Sequence, residues 1–252
     1  KYIKEKLAGR SLSKKEIKEI VKDTVARDLT DVEIAALITG LELNGINMKE
    51  VEYLSKSMVE TSRTLRFKGK VYDKHSLGGI PGKKETLLVV PIVAAAGLTI
   101  PKTSSRAISS PAGTADIVET ITGVEFGFEE IKRIVKKTNG CMVWGGAVDL
   151  APADDIFVKI EYPLKIDPLY LPSVMSKKKA VGSDYVVIDI PTGRGAKIKT
   201  FMDANEIANK FIQLGKSMNI HVRCAITHGE QPVGHAIGPA LEAREALKAL
   251  QG

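Results

Sequence analysis

Residues 73 to 86, DKHSLGGIPGKKET, bring Lys74, His75, Ser76, Lys83, Lys84 and Thr86 together with Gly78, Gly79 and Gly82. Cations, hydroxyls and glycines whose backbone N–H groups allow close approach are the parts of a phosphate cradle. A Walker A loop would need GxxxxGK followed by Ser or Thr. Here only three residues separate Gly78 from Gly82, and Lys83 is followed by Lys84, so a P-loop NTPase is excluded. A glycine-rich turn with solvated lysines stays open as the alternative. A second segment, TSSRAISSPAGT at 103 to 114, sets Arg106 among six hydroxyls, and a third, DIPTGRGAK at 189 to 197, ends on Lys197. Each follows an apolar run, and α/β sheets bind ligands at the strand ends that carry such loops.

Other chemistry-bearing residues have simpler readings. His221, His228 and His235 recur every seven residues, too sparse for a metal set, so no metal is expected. Cys141 and Cys224 lack CxxC or ligand spacing and read as buried reduced thiols of a cytoplasmic protein. The basic run SKKK at 176 to 179 reads as a solvated helix face.

The elements that must position these loops fall into two regimes. SKKE from Ser13, TDVE from Thr30 and NMKE from Asn47 are capping boxes, each opening a short helix. Ile17, Ile20, Val21 and Val25 line one face of the first, and Asn44-Gly45 ends the second with a left-handed cap. From about residue 70, β-rich runs (KVYD, LTIP, MVWGG, DYVVIDI, HVRCAIT) alternate with helical ones, which implies a parallel sheet. Helices are expected from Gly82, across 205–218 and across 239–250. Residues 153 to 182 read as an irregular proline-bearing stretch followed by a helix over SVMSKKKAVG, returning to the helical lobe. The expected fold is a small all-helical lobe (1–66, with return segment 153–182) and a larger, mostly parallel α/β lobe (67–152 and 183–252), with the active-site cleft between them.

Composition sets the outer bounds. The 252 residues are 44% hydrophobic, enough for a substantial core, and the net charge of +7 suits an anionic ligand. Aromatics are only 5% and are not interleaved with basic runs, which argues against a single-stranded nucleic-acid platform. The longest uncharged run, TLLVVPIVAAAGLTIP, falls short of a membrane span and is broken by Pro91 and Gly97, so a buried helix and a strand are expected. No signal peptide is expected from the opening residues.

KHSLGG, SRAISSPAGTADIVE, LAPADD and SVMSKKKAVG together resemble the nucleoside phosphorylase family of thymidine and pyrimidine-nucleoside phosphorylases, most closely its archaeal AMP phosphorylase branch. The resemblance spans essentially the whole chain and implies a truncated central portion, with further family domains on either side. It implies that Lys74, Ser76, Thr86, Ser104 and Thr114 hold inorganic phosphate and that His75 contacts the nucleoside. For the AMP branch it implies nucleotide binding by Gly79, Ser105, Arg106, Ala107, Ile108, Ser109, Ser110, Thr114, Ser173 and Lys197, a substrate-facing Lys177, and Asp167 as proton donor. Where the pyrimidine enzymes carry an arginine against the base, this chain has Glu161 or Tyr162, which turns the expectation away from thymidine.

The implied reaction is phosphorolysis of a nucleoside 5′-monophosphate: phosphate displaces the base from ribose C1′, giving ribose 1,5-bisphosphate. It needs an aligned nucleophile, stabilisation of an oxocarbenium-like ribose and protonation of the departing base. No cofactor beyond phosphate as co-substrate is expected, and a homodimer or larger homo-oligomer, with no membrane or nucleic-acid partner, is implied. A phosphoribosyltransferase is the rival enzyme, although its acidic GTGGDG-type loop is missing; a basic regulatory domain that merely binds nucleotides is the non-enzymatic one.

Overall fold

A computed structural model describes residues 1–106, 112–148 and 150–252. Four helices open the chain: α1 (Tyr2–Leu7), α2 (Lys14–Ala26), α3 (Asp31–Asn44) and α4 (Met48–Glu60). All three capping boxes form, with the Ser13, Thr30 and Asn47 side chains accepting from backbone N–H groups in the first turn and the Glu three residues on bonding back. Glu50 does double duty, because its second oxygen accepts from buried Lys6 at 2.9 Å and from the Leu12 N–H at 2.8 Å. Gly45 after α3 adopts φ 71 and ψ 168, a positive-φ turn that is not the expected left-handed cap.

The strands β1 (Tyr72–Ser76), β2 (Ile100–Ser104), β3 (Gly140–Trp144), β4 (Tyr185–Thr192) and β5 (His221–His228) all pair in parallel. The expected single sheet is two: β1-β4-β5 and β2-β3. One isolated parallel bridge, Val71 with Thr99, joins them, with the Tyr72 N–H donating to the Thr99 carbonyl at 2.8 Å. Among the described residues no further pairing joins the two sheets beyond this bridge. Helices α5 (Glu85–Ala95), α6 (Thr114–Glu119), α7 (Phe128–Thr138), α10 (Phe201–Ser217) and α11 (Pro239–Gln251) complete this lobe. The helix expected over 205–218 starts four residues earlier, because Thr200 caps it by accepting from the Asp203 N–H at 3.1 Å.

The stretch expected to be irregular is a helix, α8 (Pro152–Leu164), followed by α9 (Tyr170–Ala180). Pro152 at its first turn costs no hydrogen bond, and Pro163 lies in the last turn, where little helix remains to break. Ala153, Ile156, Phe157 and Ile160 form a stripe at helical spacing that packs into the core of α2, α3 and α4. Leu171, Val174 and Met175 of α9 join Val51 of α4 and Val186, Ile188 and Ile190 of β4 in a second core. Helices α8 and α9 therefore carry side chains from the helical side to the strand ends.

Candidate active site

Because the strands are parallel, the loops after β1, β2 and β4 open on one side, opposite α8 and α9. Between them lies a cavity of about 710 Å³, a size suited to a nucleotide. His75, Ser76, Thr86, Ser104 and Thr114 line it from the α/β lobe. Ser105 and Arg106 do so beside them, and Asp167, Ser173, Lys177 and Lys197 complete it. Ala107, Ile108, Ser109 and Ser110 lie outside the described residues.

Lys74 is one layer back from the cavity. Its ammonium donates to Thr86 Oγ1 at 2.9 Å and Glu85 Oε1 at 3.0 Å, and both of those residues line the wall. Ser76 Oγ donates to Asp189 Oδ2 at 2.7 Å, and Lys83 reaches the same carboxylate oxygen at 2.6 Å. Burial opposes charge on Asp189, but bonds from Lys83, Thr227 and Ser76 hold its carboxyl below the usual range. Gly79 has φ +85, and a Cβ there would meet the Lys197 backbone nitrogen at 3.0 Å. Glycine at this position thus lets the first and third loops touch.

Several cations expected to face the nucleotide already hold carboxylates. Lys197 pairs with Asp167, Lys177 with Asp154 at 2.5 Å, and Arg106 with Asp116, Glu119 and Glu125 while lying over the Trp144 ring. Asp167 is 41% exposed at its side chain. The buried carboxyl of the cavity wall is Glu161, 4% exposed. Burial first, then the charges of Asp167 and Asp154, push it up to about 8.

Two buried lysines of the cavity wall, Lys178 and Lys102, were not expected at the site from residue types and spacing. Lys178, inside the presumed solvated run, donates to Asp73 at 2.8 Å, and both side chains are shielded from water. Lys102 of β2 lines the cavity and donates to the Thr103 carbonyl rather than to a carboxylate. Burial and the neighbouring Lys178 push its amine well below the usual lysine range, and His75, half-buried beside Lys178, Lys102, Lys177 and Lys74, is likewise driven well below its ordinary value. The one available signal for Lys102 was its place directly after the apolar run LTIP and before the hydroxyl-rich loop. Among the described residues, the buried side-chain oxygens without a hydrogen-bond partner are Glu85 Oε2, Ser104 Oγ, Asp154 Oδ1 and Glu161 Oε1, and three of these four residues line the cavity. Native interiors leave few such groups, so their concentration here marks a ligand site.

Elsewhere, His221 and His228 sit at opposite ends of β5, and the His235 N–H donates to Glu245 at 2.9 Å. Both cysteines are free; Cys141 is buried, with its thiol pushed up to about 12, while Cys224 is only half-buried. Among the described residues no helix is long and apolar enough to cross a membrane.

Residues 1–62 match the helical bundle domain of a glycosyl transferase family, and residues 68–252 match its α/β domain. The chain is 57% identical to the AMP phosphorylases of Methanocaldococcus jannaschii and Thermococcus kodakarensis and 54% identical to that of Thermofilum pendens, over 99% of its own length. It spans about half the length of these curated relatives: 50%, 50% and 49%. The crystal structure of anthranilate phosphoribosyltransferase from Thermus thermophilus superposes with a TM-score of 0.70 at 20% identity, covering 92% of this chain and 67% of that one, which is a likeness of fold. Two matched domains spanning nearly every residue leave one conclusion: the chain belongs to this glycosyl transferase family, with its helical bundle domain followed by its α/β domain.

Proposed function

We propose that the cavity performs phosphorolysis of nucleoside 5′-monophosphates, with AMP as substrate. The observation that carries this reading is 53–57% identity to archaeal proteins curated as AMP phosphorylases, along 99% of this chain. The charge layout supports it, because two anions need two separate cationic stations. The first is at the end of β1, where Ser76, Thr86 and the Lys74 behind them would hold inorganic phosphate. The second is Lys197, which would hold the 5′-phosphate.

Phosphate then attacks ribose C1′ from the face opposite the base, the C1′–N bond breaks, and the base leaves with a proton, for which Asp167 is the proposed donor. The Lys197–Asp167 ion pair links these roles. A 5′-phosphate that takes Lys197 deprives Asp167 of its cation and sets a dianion beside it, and both changes favour the protonated carboxyl. The acid would thus carry its proton only when the correct substrate is bound.

The test is product identity. AMP with inorganic phosphate should yield adenine and ribose 1,5-bisphosphate in equal amounts, with no adenine when phosphate is omitted. Adenine release that needs pyrophosphate instead would indicate phosphoribosyl transfer, and preferential consumption of thymidine or uridine would return the chain to the pyrimidine enzymes.

A further inference from the structure

The α8 and α9 side of the cavity differs from the cationic side. Beside Lys177 and Lys178, the residues Val158, Tyr162, Ile166 and Tyr170 give it an apolar and aromatic strip that suits a flat heterocycle. Glu161 is set into this wall, and its Oε1 is buried without a partner among the described residues. An unpaired carboxyl oxygen in an apolar wall is costly unless a ligand completes it.

We propose that Glu161 is a specificity-determining residue that reads the base, one carboxyl oxygen donating to N7 of a 6-aminopurine and the other accepting from the adjacent exocyclic amine. This rests on the nucleotide phosphorolysis proposed above and adds what selects the base.

The charged groups around Glu161 fit a donor at neutral pH. Asp154 shares its helix, Asp167 follows that helix, and both carboxylates disfavour a second negative charge; burial acts the same way. Lys197 from the loop after β4 and a hydrogen bond from the Leu169 backbone act in the opposite sense. Lys177 of α9 is engaged by Asp154. The balance leaves the proton on Glu161 until about pH 8. An ionised carboxylate would accept from ribose hydroxyls but could not donate to a ring nitrogen. A neutral carboxyl offers one donor and one acceptor, which matches the N7 and amine edge of adenine. A 6-oxopurine presents two acceptors on that edge and leaves the carbonyl oxygen of Glu161 facing its own O6.

The experiment measures kcat/KM for AMP and IMP with inorganic phosphate from pH 6 to 10 in the wild type, Glu161→Gln and Glu161→Leu. Glutamine keeps one donor and one acceptor without titrating, and leucine removes both. The AMP profile of the wild type should fall as pH rises through about 8, since kcat/KM reports groups of the free enzyme. Glu161→Gln should keep the preference for AMP and lose that fall. Glu161→Leu should lose roughly 5- to 150-fold of the AMP over IMP preference, the value of one bidentate base contact. An alkaline fall that persists in Glu161→Gln, or a parallel loss for AMP and IMP in Glu161→Leu, would overturn the assignment. If neither nucleotide is cleaved, the phosphorolysis proposal fails and calorimetric binding of adenine against hypoxanthine decides Glu161 alone: discrimination that vanishes in Glu161→Leu supports it, and an unchanged ratio rejects it.

Discussion

Replacing Glu161 by glutamine should change the pH dependence of folding stability in a direction opposite to that of most carboxylates. Its carboxyl rises from an ordinary 4.5 to about 8 in the folded chain. Between those limits the folded state keeps a proton that the unfolded chain has released, so stability falls as pH increases. Below the unfolded value both states are protonated and the effect vanishes; above the folded value it is complete. Linkage with those two values gives a cost of about 1 kcal/mol at pH 5, about 3 at pH 7 and about 4 to 5 at pH 9. Glutamine carries no such cost. Urea unfolding of both proteins at the three pH values supplies the comparison, and the quantity to read is the slope of the difference, because any packing penalty of the amide is a constant offset. The gap should widen in favour of Glu161→Gln by about 3 to 4 kcal/mol between pH 5 and pH 9. A gap that stays constant would mean that water reaches the carboxyl and that it titrates normally.

Lys197→Ala should lower kcat/KM for AMP by roughly 30- to 150-fold, the loss of about 2 to 3 kcal/mol of charge-assisted bonding, and affect adenosine far less; a parallel fall would mean that Lys197 only shapes its loop. Lys74→Ala should weaken inorganic phosphate binding by about 1.5 to 3 kcal/mol and AMP binding by less in calorimetric titration, whereas equal losses would make Lys74 a support for Thr86 alone. Phosphate binding near pH 7.5 should draw protons from solution, because burial and neighbouring lysines push Lys102 and His75 well below their ordinary values, and a dianion reverses both pressures. Calorimetry in buffers of different ionisation enthalpy reads that uptake, which should shrink in Lys102→Met; no buffer dependence would refute it. Lys178→Met should cost about 3 to 5 kcal/mol in denaturant unfolding by stranding the buried Asp73 carboxylate, and a loss under about 1 kcal/mol would show that Asp73 is hydrated.

How much of this was legible in the sequence follows from the range of each interaction. The capping boxes at Ser13, Thr30 and Asn47 are written within four residues and formed as read. The alternation of apolar runs gave the strands, and their parallel pairing placed the three polar loops on one side. The proline-bearing stretch from residue 153, expected to be irregular, is the helix α8 because Ala153, Ile156, Phe157 and Ile160 keep helical spacing along it. A proline in a last turn ends a helix without preventing one. The division of the sheet at Val71 and Thr99 has no local signal, since it depends on how two units far apart in sequence twist against each other.

The cavity residues were legible as a set of groups but not as a set of pairs. Lys197 and Asp167 lie 30 residues apart, and Lys178 and Asp73 lie 105 apart, distances over which spacing says nothing. Those pairs change what the site does. An unpaired cluster of buried lysines would repel itself and attract any anion. Here Lys74, Lys83, Lys177 and Lys197 each hold a carboxylate in the free protein, so an incoming anion must displace or outbid a charge already in place. Each carboxylate brings one negative charge, and a phosphate dianion brings nearly two with three acceptor oxygens. The exchange therefore favours phosphate over chloride or a carboxylic acid, although every lysine involved is attractive to all of them. In the proposed reaction a 5′-phosphate that takes Lys197 would leave Asp167 without its cation beside a dianion, at the place where a base must leave.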